Sequence, residues 1–287
     1  MSRNQRLRRL IAREEILVAP GVYDAYLARC VERAGFESIY MTGAGVSHSR
    51  LGVPDLGLLS FAEMVEQAER IADAVELPVI ADADTGYGNA MNAARTIRAY
   101  QRAGVSACHI EDQQMPKRCG HFDEKRLVPL AEMTAKLKAA LDARTDPDFL
   151  IIARTDARTV EGLDAALERA NAYAETGADV IFVESPLSEE ELALIGRTVK
   201  APLLANMVEG GKTPMLPAER LEALGFSVVI HPGSIGRFIG MQLAGFLGRF
   251  HTDRSTISQM DKMLTFAEQN EIVNLPAYLE RARRYLA

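Results

Sequence analysis

The 287-residue sequence has no tryptophan, three cysteines and no long apolar run. Cys30, Cys108 and Cys119 are too few for a disulfide framework and odd in number, so a reducing cytoplasm is the expected setting. The longest nearly apolar stretch, Phe238 to Gly248, is about half of what a membrane span needs. The N-terminal arginines lead into no hydrophobic core of a signal peptide, and Glu14 and Glu15 interrupt any likeness to a transit peptide. A short amphipathic helix is expected there. A basic excess is lacking too: the net charge is -6, and no basic run extends beyond Arg6 to Arg9. Nucleic acid and anionic membrane are therefore not expected partners. With 48% apolar and 25% charged residues, the composition is that of an ordinary globular chain and excludes disordered or low-complexity classes.

What is present is a repeated unit of short apolar run, polar turn, amphipathic helix and small-residue stop. The apolar runs are Ile16 to Pro20, Ser38 to Thr42, Pro78 to Asp82, Ala107 to Glu111, Phe149 to Ala153, Val180 to Glu184, Pro202 to Ala205 and Ser227 to His231. Helical periodicity marks Ala62 to Val75, Ala90 to Ala103, Leu130 to Ala143 and Leu163 to Thr176. Gly35, Gly104, Gly177 and Gly225 sit where a helix would end in a left-handed residue. Strands joined by crossover helices form a parallel sheet, and eight units recurring about every 36 residues predict a closed (β/α)8 barrel. One domain is expected, with the barrel over about 16–250 and a helical extension over about 252–287. In the extension, Ser255 to Gln269 and Tyr278 to Tyr285 read as helical, capping either their own subunit or a neighbour.

Reactive groups of such barrels lie at the C-terminal strand ends. Those ends carry Asp82 and Asp84, Glu111, Arg154, Glu184 and Asn206, with Asp55 in the loop after the second strand. Acids converging on one rim repel each other unless a cation joins them. Oxygen donors without a His or Cys set suit a hard ion such as Mg²⁺ or Mn²⁺. Asp55, Asp82, Asp84 and Glu111 are the expected ligands, some through water. The loop Pro116-Lys117-Arg118-Cys119-Gly120-His121 surrounds a thiol with two cations and a histidine, which predicts a stabilised thiolate suited to acid/base work. Cys30 and Cys108 read as core residues. His109 is either a partner of the acids or a packed core histidine, and His48 reads as surface or packing. No lysine falls inside a strand, which disfavours an imine-forming aldolase. Asp84-Thr85-Gly86-Tyr87-Gly88-Asn89 lacks the third glycine of a dinucleotide fingerprint.

These segments resemble the isocitrate lyase and phosphoenolpyruvate mutase superfamily from about residue 19 to 240. The resemblance rests on Lys117-Arg118-Cys119-Gly120-His121, Tyr40-Met41-Thr42-Gly43-Ala44-Gly45, Pro54-Asp55-Leu56-Gly57, Asp82 to Gly88, His109-Ile110-Glu111-Asp112 and Asn206 to Pro214. Thr85 to Gly88 and Glu209 to Pro214 look more like the 2,3-dimethylmalate lyase branch than methylisocitrate lyase. The resemblance implies a Mg²⁺-bound α-keto acid or its enolate, a mobile loop carrying the cysteine, and homotetramers (dimers of dimers) that exchange the last barrel helix.

It also implies cleavage of a 2-hydroxy dicarboxylate of alkylmalate type to pyruvate, or a related keto acid, and a carboxylic acid. Tyr40 then acts as base and Cys119 as proton donor, with Glu111 beside them. Arg154, His121 and the backbone near Gly43 and Ala44 stabilise the carbanion. Thr42, Asp82, Gly120, Asn206, Thr213 and Pro214 bind substrate, and Glu184 orients Arg154. The alternatives are a phosphonomutase of the carboxyphosphonoenolpyruvate type and an oxaloacetate decarboxylase or hydrolase.

Overall fold

The computed structural model describes residues 1–286. Eight parallel strands close into one barrel in chain order: β1 (Leu17–Val22), β2 (Ile39–Met41), β3 (Val79–Asp82), β4 (Ala107–Glu111), β5 (Leu150–Thr155), β6 (Val180–Val183), β7 (Leu203–Asn206) and β8 (Val228–His231). Both faces of nearly every strand are buried, which is why the sequence shows apolar runs there instead of alternation. The eight expected strands are present with shifted ends. β5 runs on through Arg154 and Thr155, and Glu184 stands one residue beyond β6. Gly35, Gly104, Gly177 and Gly225 all have positive φ, as expected of helix stops.

Side-chain parity divides the core in two. One cluster fills the barrel interior with alternate strand residues, Leu17 and Ala19, Tyr40, Ile80, Ala107, Leu150 and Ile152, Val180 and Phe182, Leu204, and Val228 and Ile230. Leu7, Leu10 and Ile11 belong to the same cluster, so the N-terminal helix Arg3–Ala12 plugs the bottom of the barrel. The other residues of each strand pack outward against the helices Phe61–Ala74, Ala90–Arg102, Leu130–Ala143 and Leu163–Thr176.

Parity also selects the groups at the open end. The next inward position after Tyr40 is Thr42; after Ile80, Asp82; after Ile152, Arg154; after Phe182, Glu184; after Leu204, Asn206. Strand register places Asp82 beside His109 and Glu111 beside Arg154.

The chain ends in a long helix, Ser234–Asp253, then a 3₁₀ turn, Ile257–Lys262, and helices Phe266–Ile272 and Leu275–Leu286. The continuous helical segment expected over Ser255 to Gln269 is in fact broken. Thr265 caps a new helix, accepting from the Glu268 backbone N–H while the Glu268 carboxylate accepts from the Thr265 N–H. No residue of Ser234–Asp253 is buried in the single chain, and Phe238 and Met241 are 67% and 76% exposed. No described helix is long and apolar enough to cross a membrane.

Candidate active site

A cavity of about 450 Å³ opens at the C-terminal end of the barrel. Of the residues expected at the site, Tyr40, Thr42, Ala44, Asp55, Asp82, Cys119, Gly120, His121, Arg154, Glu184 and Asn206 line it. Gly43, Asp84, Glu111, Thr213 and Pro214 do not reach its wall. Gly43 stands behind it, where its N–H donates to Asp82 Oδ2 at 3.2 Å. A Cβ at that position would come within 2.5 Å of the same oxygen, so any larger residue would displace the Asp82 carboxylate.

Six buried carboxylates, from Asp55, Asp82, Asp84, Glu111, Asp156 and Glu184, surround the mouth, against four buried cations, Lys117, Lys125, Lys136 and Arg154, with Asp112 and Arg169 paired behind them. An excess of negative charge in a buried setting costs several kcal/mol per ion unless the groups protonate or a cation joins them. The carboxyls show the strain: burial pushes Asp84 up to about 6 and raises Glu111 well above the ordinary carboxylate range. One Glu111 oxygen has no partner. An all-oxygen donor set short of positive charge fits a hard divalent cation.

The structure divides the four expected ligands. The Lys117 ammonium lies 2.5 Å from Asp55 and 2.8 Å from Asp84. Asp82 accepts from the backbone N–H groups of Gly43 and Asp84, and Glu111 leans on Arg154 at 3.4 Å. Among the described residues, no three His, Cys, Asp or Glu side chains form a ready metal cluster.

Cys119 sits on a loop folded into the cavity, and here the charge reading requires correction. Lys117 spends its charge on Asp55 and Asp84, and Arg118 spends its own on Glu124 at 2.8 Å. Neither stabilises a thiolate. Burial pushes the Cys119 thiol above its ordinary value, so the group is an S–H at neutral pH. Cys108 is buried as expected, whereas Cys30 is only half-buried.

The His121 Nδ1 accepts from the Lys212 backbone N–H at 3.1 Å. That bond fixes the neutral tautomer, with Nε2–H aimed toward Glu184 at 3.6 Å and no hydrogen-bond partner. Burial lowers the imidazole pKa, in keeping with a neutral ring. Tyr40 and His109 resolve together: the phenol oxygen and His109 Nε2 share a proton at 2.8 Å, and His109 packs between Tyr40 and Phe182. Burial holds His109 neutral, at about 3, and pushes the Tyr40 phenol well up.

Arg154 is clamped from three sides. Its Nε donates to Asp156 Oδ2 at 2.9 Å, its Nη2 lies 3.3 Å from Glu184 Oε2, and its guanidinium stacks over Phe182. Asn206 donates to the same Glu184 oxygen at 3.0 Å, leaving its own carbonyl without a partner.

Sequence reasoning did not single out Lys125 or Ser185, which hold the cysteine loop, nor Tyr23, Val208, Pro232 and Arg237, which complete the wall. His48, read as surface or packing, also lines the cavity. Pro232 was accessible by parity, as the next inward position after Ile230. The others had no periodic signal.

Comparison with known proteins agrees with this geometry. Residues 7–244 match the family described as phosphoenolpyruvate phosphomutase. The chain is 47% identical over 285 residues to 2,3-dimethylmalate lyase of Eubacterium barkeri, covering 99% of both chains. It is 44% identical over 276 residues to 2-methylisocitrate lyase of Aeropyrum pernix, covering 96% of this chain and 88% of that one. A solved oxaloacetate acetylhydrolase with the inhibitor 3,3-difluorooxalacetate superposes with a TM-score of 0.94 at 36% identity, covering 99% of this chain and 97% of that one. The chain therefore belongs to the PEP mutase/isocitrate lyase superfamily and is an enzyme of the carbon–carbon lyase kind.

Proposed function

We propose that this enzyme cleaves the C2–C3 bond of a 2-hydroxy dicarboxylate of the 2,3-dimethylmalate or 2-methylisocitrate type, giving pyruvate or a related α-keto acid and a carboxylic acid. The observation that carries the reading is a half-buried thiol, Cys119, lining the same cavity as Arg154, Asp55, Asp82 and Glu184. Kinship over the full chain length with 2,3-dimethylmalate lyase supports the substrate class.

Chain residues have distinct tasks in this scheme. Tyr40, a phenol on the cavity wall hydrogen-bonded to His109 Nε2 at 2.8 Å, is the group placed to take the substrate hydroxyl proton while its own proton shifts to His109. As the C2–C3 bond breaks, its electron pair stays on C3 and spreads into the adjacent carboxylate. Arg154 and the unpartnered His121 Nε2–H face that growing charge. The Cys119 S–H then gives its proton to C3, and solvent reprotonates the thiolate afterwards. Asn206, whose amide nitrogen gives one N–H to Glu184 and keeps a second, is the wall residue that donates to the departing carboxylate, while Thr213 stands behind the wall. A Mg²⁺ or Mn²⁺ ion held by Asp55, Asp82, Asp84 and Glu111, directly or through water, would supply Lewis-acid polarisation of the substrate hydroxyl and its neighbouring carboxylate.

Assembly belongs to the same reading. The helix Ser234–Asp253 leaves Phe238, Met241, Leu243 and Leu247 in water, and each such side chain gains about 1.5–3 kcal/mol when covered. Other copies of this chain cover them, in a tetramer that exchanges this helix.

A pyruvate-release screen coupled to lactate dehydrogenase tests the function over malate, 2-methylmalate, 2,3-dimethylmalate, 2-methylisocitrate, isocitrate and oxaloacetate, with and without chelator. Chelator-sensitive pyruvate from an alkylated 2-hydroxy diacid is expected. Turnover of oxaloacetate alone, or of a phosphonopyruvate followed by phosphorus NMR, would replace the reading. A phosphonomutase would leave the Cys119 thiol without a task.

A further inference from the structure

We infer that Lys125 is a positioning residue, a latch that holds the Cys119 loop shut by tying it to the carboxylate behind Arg154. Its side chain is 1% exposed. The ammonium donates to the Gly120 carbonyl, one residue from the thiol, and to Asp156 Oδ1 at 2.8 Å. That same oxygen accepts from Arg154 Nη2 at 3.2 Å, while Asp156 Oδ2 takes Arg154 Nε. One carboxylate therefore anchors both the loop that carries the proton donor and the guanidinium that faces the substrate. Asp156 is itself fixed: its backbone N–H donates to Asp112 Oδ1 at 2.9 Å, and Asp112 Oδ2 accepts from Thr155 and Tyr173 at 2.7 and 2.8 Å.

Charge decides why a lysine is there. Without its ammonium, the Gly120 carbonyl would keep only the Ser185 hydroxyl, at 3.3 Å, and Asp156 would keep only Arg154. Charge-assisted hydrogen bonds of this kind contribute more than neutral ones, enough to set the open-to-closed balance of a short loop. Arg154 does not depend on the latch, since Asp156 and Glu184 still hold it. Loss of Lys125 therefore misplaces the thiol while sparing substrate capture.

The loop arm of the test needs no substrate. Phe122, 44% exposed on the same loop, offers a chymotrypsin site whose cleavage rate in the native protein reports loop opening. Lys125→Met should be cut after Phe122 about tenfold faster or more, with Lys125→Arg close to wild type. The activity arm rests on Cys119 being the proton donor. There Lys125→Met should lose about tenfold or more in kcat with KM within about threefold, and Lys125→Arg should recover most of the loss.

Unchanged cleavage of Lys125→Met overturns the latch whatever the substrate proves to be. Faster cleavage without any turnover of hydroxy diacids by the wild type retains the latch and removes the proposed reaction. A parallel rise in KM assigns Lys125 to substrate binding and overturns its positioning role. If Lys125→Met does not fold, Lys125→Gln carries the same comparison against Lys125→Arg.

Discussion

Gly120 packs so closely on Arg154 that a methyl group at its Cα would lie 2.5 Å from Nη2 and 2.6 Å from the Glu184 carboxyl. With any larger residue here, Arg154 or Glu184 must move for the loop bearing Cys119 to lie over the guanidinium as it does. Gly120→Ala should keep the barrel fold, because the clash is confined to the rim side chains Arg154 and Glu184, and should lose about 10²-fold in kcat through misplacement of the thiol. Steady-state kinetics alongside a thermal melt checks both halves; a fully active alanine variant would mean that closure is not needed.

The thiol itself is the next test. Cys119→Ala and Cys119→Ser should each cost about 10²–10⁴-fold in kcat, the range for loss of a positioned proton donor. Binding of pyruvate should persist, since Arg154, Glu184 and Asn206 are untouched, and calorimetry with pyruvate measures that directly.

The pH dependence follows from the direction of the Cys119 shift. Burial raises the thiol pKa, so the proton-bearing form, which is the active one, persists through neutral pH and is lost only as pH rises past the elevated value. The alkaline limb of kcat should therefore lie above the ordinary thiol range. Iodoacetamide labelling of Cys119 followed across pH by peptide mass spectrometry should give the same high midpoint. A midpoint below about 8 would restore the thiolate reading.

Excess carboxylate charge at the mouth predicts that a divalent cation stabilises the fold as well as supporting activity. Adding Mg²⁺ at about 100 times its Kd should stabilise the folded protein by about 2.7 kcal/mol, seen as a rise in Tm. Asp82→Asn should lose most of that rise. Chelator that changes neither Tm nor activity would remove the metal from the account.

Exposure of Phe238 and Met241 on the long helix predicts association. For the tetramer that the family resemblance implies, light scattering should give four times the 31.5 kDa chain mass. Met241→Lys should shift the species to smaller assemblies, whereas a wild-type monomer at micromolar concentration would refute the exchange of that helix.

The barrel was legible because strands buried on both faces leave unmistakable apolar runs and the helix stops demand glycine, as at Gly35 and Gly177. Counting inward positions from those runs also reaches Asp82, Arg154 and Glu184, so much of the cavity wall follows from local pattern. The ion pairs do not. Lys117 meets Asp55 from 62 residues away, and Lys125 meets Asp156 from 31 away, through loops with no period to read. The apparent company of Cys119 misled for that reason, since adjacent cations in sequence point to different carboxylates in space. The break before Thr265 is a different case: Thr265-Phe266-Ala267-Glu268 forms a capping box, a start signal carried by the local sequence.

Proton NMR of 2,3-dimethylmalate turnover in D₂O is the most direct check on the chemistry. Wild-type enzyme should release pyruvate together with propanoate carrying one deuterium at C2, and Cys119→Ala should release almost none. Absence of pyruvate from this and every other alkylated hydroxy diacid, or wild-type rates from the Cys119→Ala enzyme, would contradict the account.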